Sequence, residues 1–151
     1  MEKIIIGCAG WEYKDWKKTF YPKNLPNAQH LSYYAKFFHY TEINSTFYNL
    51  PSRDIVYGWL RKVPDDFKFT VKVWKEITHN YSDPELETNI QEFFSRLEPL
   101  KEKIKNFLLQ FPPWFKYKEE NINTLKYILR KVPQDYIYII ELRDNTFPIH
   151  R

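Results

Sequence analysis

Apolar positions follow two alternating rhythms along this chain, one of period two and one near 3.6, and their order predicts the architecture. Ile4–Gly7 is a continuous apolar run of strand length, the kind found in a sheet covered on both faces. Gly7 and Gly10 then release the backbone into a loop holding Trp11, Tyr13 and Trp16. Asn27 is placed to cap a helix whose apolar residues Leu31, Tyr34, Ala35 and Phe38 recur at helical spacing. A short β-rich run follows from Tyr40, with Glu42 and Asn44 on one face and Ile43 on the other, breaking into a loop after Asn44 and reaching Pro51. Ser52 caps the next helix, which carries Val56, Trp59, Leu60 and Val63 and ends at Pro64.

Phe67–Val73 alternates strictly, with Phe67, Phe69, Val71 and Val73 on one face and Lys68, Thr70 and Lys72 on the other. Ile77-Thr78-His79 reads as loop, and Ser82 or Asp83 with Pro84 opens a third helix through Leu86, Ile90, Phe93, Phe94, Leu97 and Leu100. Pro99 bends or splits it. Phe107–Phe111 is a fourth strand, stopped by Pro112-Pro113. Asn121 or Asn123 is the expected cap of a fourth helix, and Tyr136–Arg143 is the fifth strand. An internal echo supports this reading: Arg61-Lys62-Val63-Pro64-Asp65-Asp66-Phe67 matches Arg130-Lys131-Val132-Pro133-Gln134-Asp135-Tyr136, each at a handover from helix to strand. Strict strand–helix alternation predicts a parallel sheet with right-handed crossovers. The fold class expected is therefore α/β, of the parallel β/α-barrel (TIM) type.

Composition narrows the setting. With 151 residues, one domain over residues 1–151 is the expectation. Hydrophobic residues at 43% and charged residues at 28% describe a globular chain rather than a disordered one. The balance of 23 basic against 19 acidic residues gives a formal net charge of +4. That surplus tolerates anionic ligands and leaves nucleic-acid binding open without being its signature. Cys8 is the only cysteine, which excludes an internal disulfide and suits a reducing, cytoplasmic setting. The run at Met1-Glu2-Lys3-Ile4-Ile5-Ile6 is too short for a signal peptide, and no stretch reaches the ~20 apolar residues of a membrane span.

If Ile43, Phe69, Val71, Leu109, Ile140 and Leu142 face the helices, then Glu42, Asn44, Thr70, Lys72, Gln110, Glu141 and Arg143 share the opposite face near the strand C-termini. Barrel active sites sit at that end. Glu42, Lys72 and Glu141 are the candidate catalytic residues, with Glu42 and Lys72 on neighbouring strands and close enough to pair. Paired carboxylates serve general acid–base work, or equally bridge structurally. Lys72 and Arg143 suit an anionic group. Trp11, Tyr13 and Tyr48 offer rings for a sugar or base, Asn44 and Gln110 offer amides, and His79 is the best-placed histidine for proton transfer. No spacing of His, Cys, Asp and Glu resembles a metal site, no cofactor loop is present, and Cys8 reads as a packing residue.

Several blocks carry a family resemblance in order: Gly10-Trp11 with Tyr13 and Trp16, Phe20-Tyr21-Pro22, Glu42-Ile43-Asn44-Ser45-Thr46-Phe47-Tyr48, Val71-Lys72 with Ile77-Thr78-His79, Gln110-Phe111-Pro112-Pro113, and Glu141-Leu142-Arg143. The chain resembles the YecE-like family, domain of unknown function 72, over nearly all of its length. The resemblance implies an eight-stranded β/α barrel, related in shape to sugar-phosphate isomerases and apurinic-site endonucleases, and no established reaction. Asp144 and Phe147 stand where the family usually shows a His and then a Trp. Such barrels run to about 250 residues, so about five of eight β/α units are expected here. The resulting expectation is a truncated or split barrel whose unpaired edges are covered by its own copy or by a complementary chain. Three functions follow as alternatives: a barrel binding or transforming a polar, sugar- or phosphate-containing ligand, a nucleic-acid-binding or nuclease-like barrel, or an inactive fragment that requires a partner chain.

Overall fold

Four strands, Tyr40–Ile43, Lys68–Lys72, Ile104–Phe111 and Ile137–Leu142, form one all-parallel sheet in their sequence order, each joined to the next by helical crossovers. The computed structural model describes residues 4–148. Met1, Glu2 and Lys3 of the N-terminal run, and residues 149–151, lie outside the described residues. In chain order the main elements are α1 (His30–Tyr34), β1 (Tyr40–Ile43), α2 (Ser45–Tyr48), α3 (Arg53–Arg61), β2 (Lys68–Lys72), α4 (Lys75–Thr78), α5 (Leu86–Leu97), β3 (Ile104–Phe111), α6 (Glu119–Lys131) and β4 (Ile137–Leu142).

The alternation read from β2 explains its burial. Phe69 and Val71 pack on one face against the layer formed by Val56 and Trp59 of α3 and by Ile90, Phe93 and Leu97 of α5. Phe107 of β3 enters the same layer and meets Phe94 at 4.8 Å between ring centroids. The register places Glu42 beside Thr70, Thr70 beside Asn106, and Gln110 beside Glu141. Paired residues in adjacent strands share a face, so these polar residues line the side away from that layer. Thr70 and Asn106 are buried there, and bond one another with an oxygen–oxygen distance of 2.5 Å. Tyr40 completes the chain through its hydroxyl on Thr70. Such mutual bonding removes most of the cost of burying polar groups. Between β2 and β3 the register slips by one residue after Phe69, leaving Lys105 as an extra residue on β3.

The expected strand at Ile4–Gly7 is absent. Only Cys8 pairs with the sheet, in a single parallel bridge to Thr41. Its backbone is tied down by the Tyr34 hydroxyl (2.8 Å), and its carbonyl accepts from the Thr41 hydroxyl (2.9 Å). A Cβ at Gly7 would lie 2.1 Å from the Tyr40 carbonyl oxygen, so glycine is what permits this close approach. Ile4 and Ile6 are exposed because nothing among the described residues covers them. An apolar run needs neighbours before it becomes a strand.

Helix ends also depart from expectation. Ser52 does cap α3, accepting from the Ile55 amide at 3.3 Å, and Pro99 does divide its helix, with a 3₁₀ segment over Glu98–Lys103 following α5. Asn27 instead opens a 3₁₀ turn (Asn27–Gln29) and caps nothing. Asn121 sits inside α6, where its amide donates to the Lys116 carbonyl at 2.8 Å. The loops expected after Asn44 and at Ile77–His79 contain one-turn helices, α2 and α4, too short to show a period. The internal echo holds: Pro64 and Pro133 each follow a helix, and each carbonyl accepts a long-range or local side-chain bond, from Lys103 and Tyr138 respectively, both at 2.7 Å.

Candidate functional site at the strand C-termini

Glu42, Lys72, Gln110, Glu141 and Arg143 all arise at or just beyond the C-terminal ends of their strands. Glu141 is held on both sides: Gln110 donates to one carboxylate oxygen at 2.8 Å and Arg143 to the other at 2.9 Å. Its pKa is depressed. Desolvation is its largest influence and pushes upward, but the bonds from Arg143 and Gln110, with the charges of Arg143 and Lys72, outweigh it. Glu42 behaves oppositely. Burial raises its pKa, and the Lys72 charge and Asn44 only partly offset that. The two carboxyls feel one another's charge, yet their surroundings drive them apart, the arrangement that separates an acid from a permanently ionised partner.

Lys72 departs from the expected pairing. It lies on the strand next to Glu42, but among the described residues the two form no salt bridge. Its ammonium sits 4.6 Å from the Phe47 ring centroid instead. Desolvation lowers its pKa, Arg143 adds to the effect, and Glu42 and Glu141 oppose it. The reason is local: α2 turns directly after β1, fixed by the Thr46 hydroxyl on the Lys72 carbonyl at 2.7 Å, and this brings Phe47 under the lysine.

His79 follows α4 and shares a 2.9 Å hydrogen bond between Nδ1 and the Thr78 hydroxyl. Burial holds its pKa below the ordinary value, reinforced by the charges of Arg143, Lys72 and Lys75, which favours the neutral imidazole. Phe47 and Trp114 both approach His79 edge-on, at 5.0 Å and 5.8 Å between centroids.

A cleft of about 210 Å³ adjoins Glu42, walled by Trp11, Tyr13, Asn44 and Ser45. Gly10 has φ of +114°, a conformation open to glycine, and this turns the loop so that Tyr13 bonds the Ala9 carbonyl. The Asn44 amide reaches the same carbonyl at 3.1 Å. Trp11 is buried against Trp59, edge-on at 6.2 Å, and so forms the floor of the cleft. Tyr48 is exposed beyond Phe47. Glu141, Arg143 and Gln110 do not line this cleft, and reach Glu42 only through the field at the sheet end.

Phe47, Lys75 and Trp114 carry no role in the sequence reading yet sit within this cluster. Trp114 had a usable signal, since it directly follows the Pro112-Pro113 stop after a strand end. Phe47 stood inside the conspicuous Glu42–Tyr48 block. Among the described residues, no group of three His, Cys, Asp or Glu is arranged to hold a metal ion, and no helix is long and apolar enough to cross a membrane.

This strand-end arrangement occurs in a chain whose residues 5–150 match the family model described as "Protein of unknown function DUF72". The chain belongs to the DUF72 family. It is 29% identical over 144 residues to the UPF0759 protein YecE of Escherichia coli K12, and 28% identical over 150 residues to the UPF0759 protein YunF of Bacillus subtilis 168. Each match covers 95% of this chain but only 50% and 52% of the relative, so the chain spans about half the length of these DUF72 relatives. A DUF72 crystal structure from Thermotoga maritima MSB8 superposes with a TM-score of 0.82 at 31% identity, covering 97% of this chain and 58% of that one. A second, from Enterococcus faecalis V583, gives 0.70 at 30% identity over 77% of this chain and 44% of the other.

Proposed function

We propose that this DUF72 chain binds a small polar, anionic ligand at the C-terminal mouth of its parallel sheet, as part of a β/α barrel. The observation that carries the reading is one strand-end cluster holding two carboxyls of opposite tendency beside Lys72, which forms no salt bridge among the described residues. Lys72 and Arg143 hold the anionic group. Glu141 fixes the Arg143 guanidinium through its 2.9 Å bond. Glu42, whose proton is retained to higher pH by burial, is the proton donor or acceptor towards the ligand. Trp11, Tyr13 and Asn44 shape the adjoining cleft.

Two apolar sheet flanks favour a further β/α segment against β4 and the Ile4–Ile6 run, because Ile137, Ile139 and Ile4 are exposed there.

Calorimetric titration with inorganic phosphate at low salt tests the binding role. Lys72→Ala and Arg143→Ala are each expected to weaken binding by about tenfold or more, while Glu42→Gln leaves it intact. Equal affinity in all three variants and the wild type would remove the site. Affinity for single-stranded DNA exceeding that for phosphate, and falling steeply with salt, would replace it with the nucleic-acid alternative.

A further inference from the structure

Trp114 is held out of the core by its own turn. The Phe115 amide bonds the Pro112 carbonyl at 3.0 Å and the Lys116 amide bonds the Trp114 carbonyl at 3.0 Å. Pro112 and Phe115 on either side are buried, whereas the indole is 61% exposed. A tight turn pinned by buried neighbours cannot collapse the ring onto the protein, so the indole face is presented ready-made.

The ring borders a second depression of about 380 Å³, lined by His79, Asn80, Tyr81, Ser82, Asp83 and Trp114. Tyr81 is anchored edge-on against Phe115 at 5.1 Å. Asp83 uses one carboxylate oxygen to accept from the Glu85 amide at 2.8 Å, which fixes the side chain and leaves the second oxygen for another donor. The Ser82 hydroxyl is exposed beside it. One large aromatic face flanked by hydroxyl, amide and carboxylate groups matches a sugar ring, whose C–H face stacks while its hydroxyls exchange hydrogen bonds. A nucleobase would ask for flat contacts rather than this rim of oxygens. A run of ring contacts leads from this depression towards the cationic mouth: Lys72 lies over Phe47, Phe47 meets His79, and His79 meets Trp114.

We infer that Trp114, Ser82 and Asp83 form a carbohydrate subsite, so that the ligand of this site is a phosphorylated sugar with its ring on Trp114 and its phosphate towards Lys72. The inference rests on the anion-binding reading above and adds the ring. Titration of the chain with inorganic phosphate, glucose 6-phosphate, adenosine monophosphate and neutral methyl glucoside, followed by the indole N–H signals in NMR, separates the two. Glucose 6-phosphate is expected to bind about tenfold more tightly than phosphate and to move the Trp114 signal, as does methyl glucoside at higher concentration. Trp114→Ala is expected to abolish that gain while keeping phosphate affinity, and Trp114→Phe to retain most of it. Phosphate binding with no gain from the sugar, or a gain that survives Trp114→Ala, overturns the subsite alone. No phosphate binding but a Trp114 response to methyl glucoside overturns the cationic mouth and keeps the subsite. No response to either overturns both, and tighter binding of adenosine monophosphate than of glucose 6-phosphate assigns the platform to a base instead.

Discussion

The middle of the sheet and its two flanks are both rich in large apolar side chains, which meet opposite fates. In β2 and β3, Phe69, Val71, Phe107 and Leu109 are 0% exposed. At the flanks, Ile4 is 85% exposed, Ile6 71%, Ile137 65% and Ile139 44%. The β4 flank presents isoleucine, a residue suited to a covered sheet, beside backbone groups paired on one side only, and the Ile4–Ile6 run presents it outside any strand. The centre teaches how this fold is stabilised. The flanks show where the same chemistry stands uncovered among the described residues.

Substitutions can break this contrast. Phe107→Ala, at the centre, is expected to cost about 3–5 kcal/mol in urea unfolding, through lost burial and the cavity left behind. The paired change Ile137→Lys with Ile139→Lys should abolish any self-association of the chain in sedimentation velocity, with little change in far-ultraviolet dichroism. If association persists unchanged, the β4 edge is not the contact. Ile139→Ala alone should cost under about 1 kcal/mol in the chain by itself. A loss matching Phe107→Ala would mean that the flank is already covered in solution.

The smallest effect concerns Glu141. Its folded pKa is depressed, so its contribution to stability is present above the unfolded value and is lost as pH falls through the folded one. Glu141→Gln should therefore flatten the acid limb of the stability curve. Because Glu141 and Arg143 are partly exposed, the change at neutral pH is expected to be roughly 0.5 kcal/mol or less. An unchanged acid limb would show that the pair is not coupled to folding.

Much of the central sheet is legible from residue order, because β2 alternates strictly and each of the first three strands is followed by a capped or proline-stopped helix. Parallel order follows from the strand–helix alternation, and the shared face of Glu42, Thr70, Gln110 and Glu141 from period two. The N-terminal strand was misjudged for an instructive reason: apolar composition reports that a segment suits being covered, not that cover is present. Asn27 and Asn121 are plausible caps by residue type, but the backbone puts the cap positions at Pro26 and Lys118. The contact of Lys72 with Phe47 depends on a one-turn helix that leaves no periodic trace. The position of Trp114 after the Pro112-Pro113 stop marks it as lying at a strand end, but its exposure is not legible, because an exposed tryptophan and a buried one look alike in sequence.

The protonation order of two carboxyls at one sheet edge is the claim on which the proposed chemistry stands. Side-chain carboxyl NMR across a pH titration, with Glu42→Gln and Glu141→Gln used for assignment, reads it directly. Glu42 is predicted to titrate above the ordinary glutamate range and Glu141 below it. Coincident titration of the two, or the reverse order, would contradict the account.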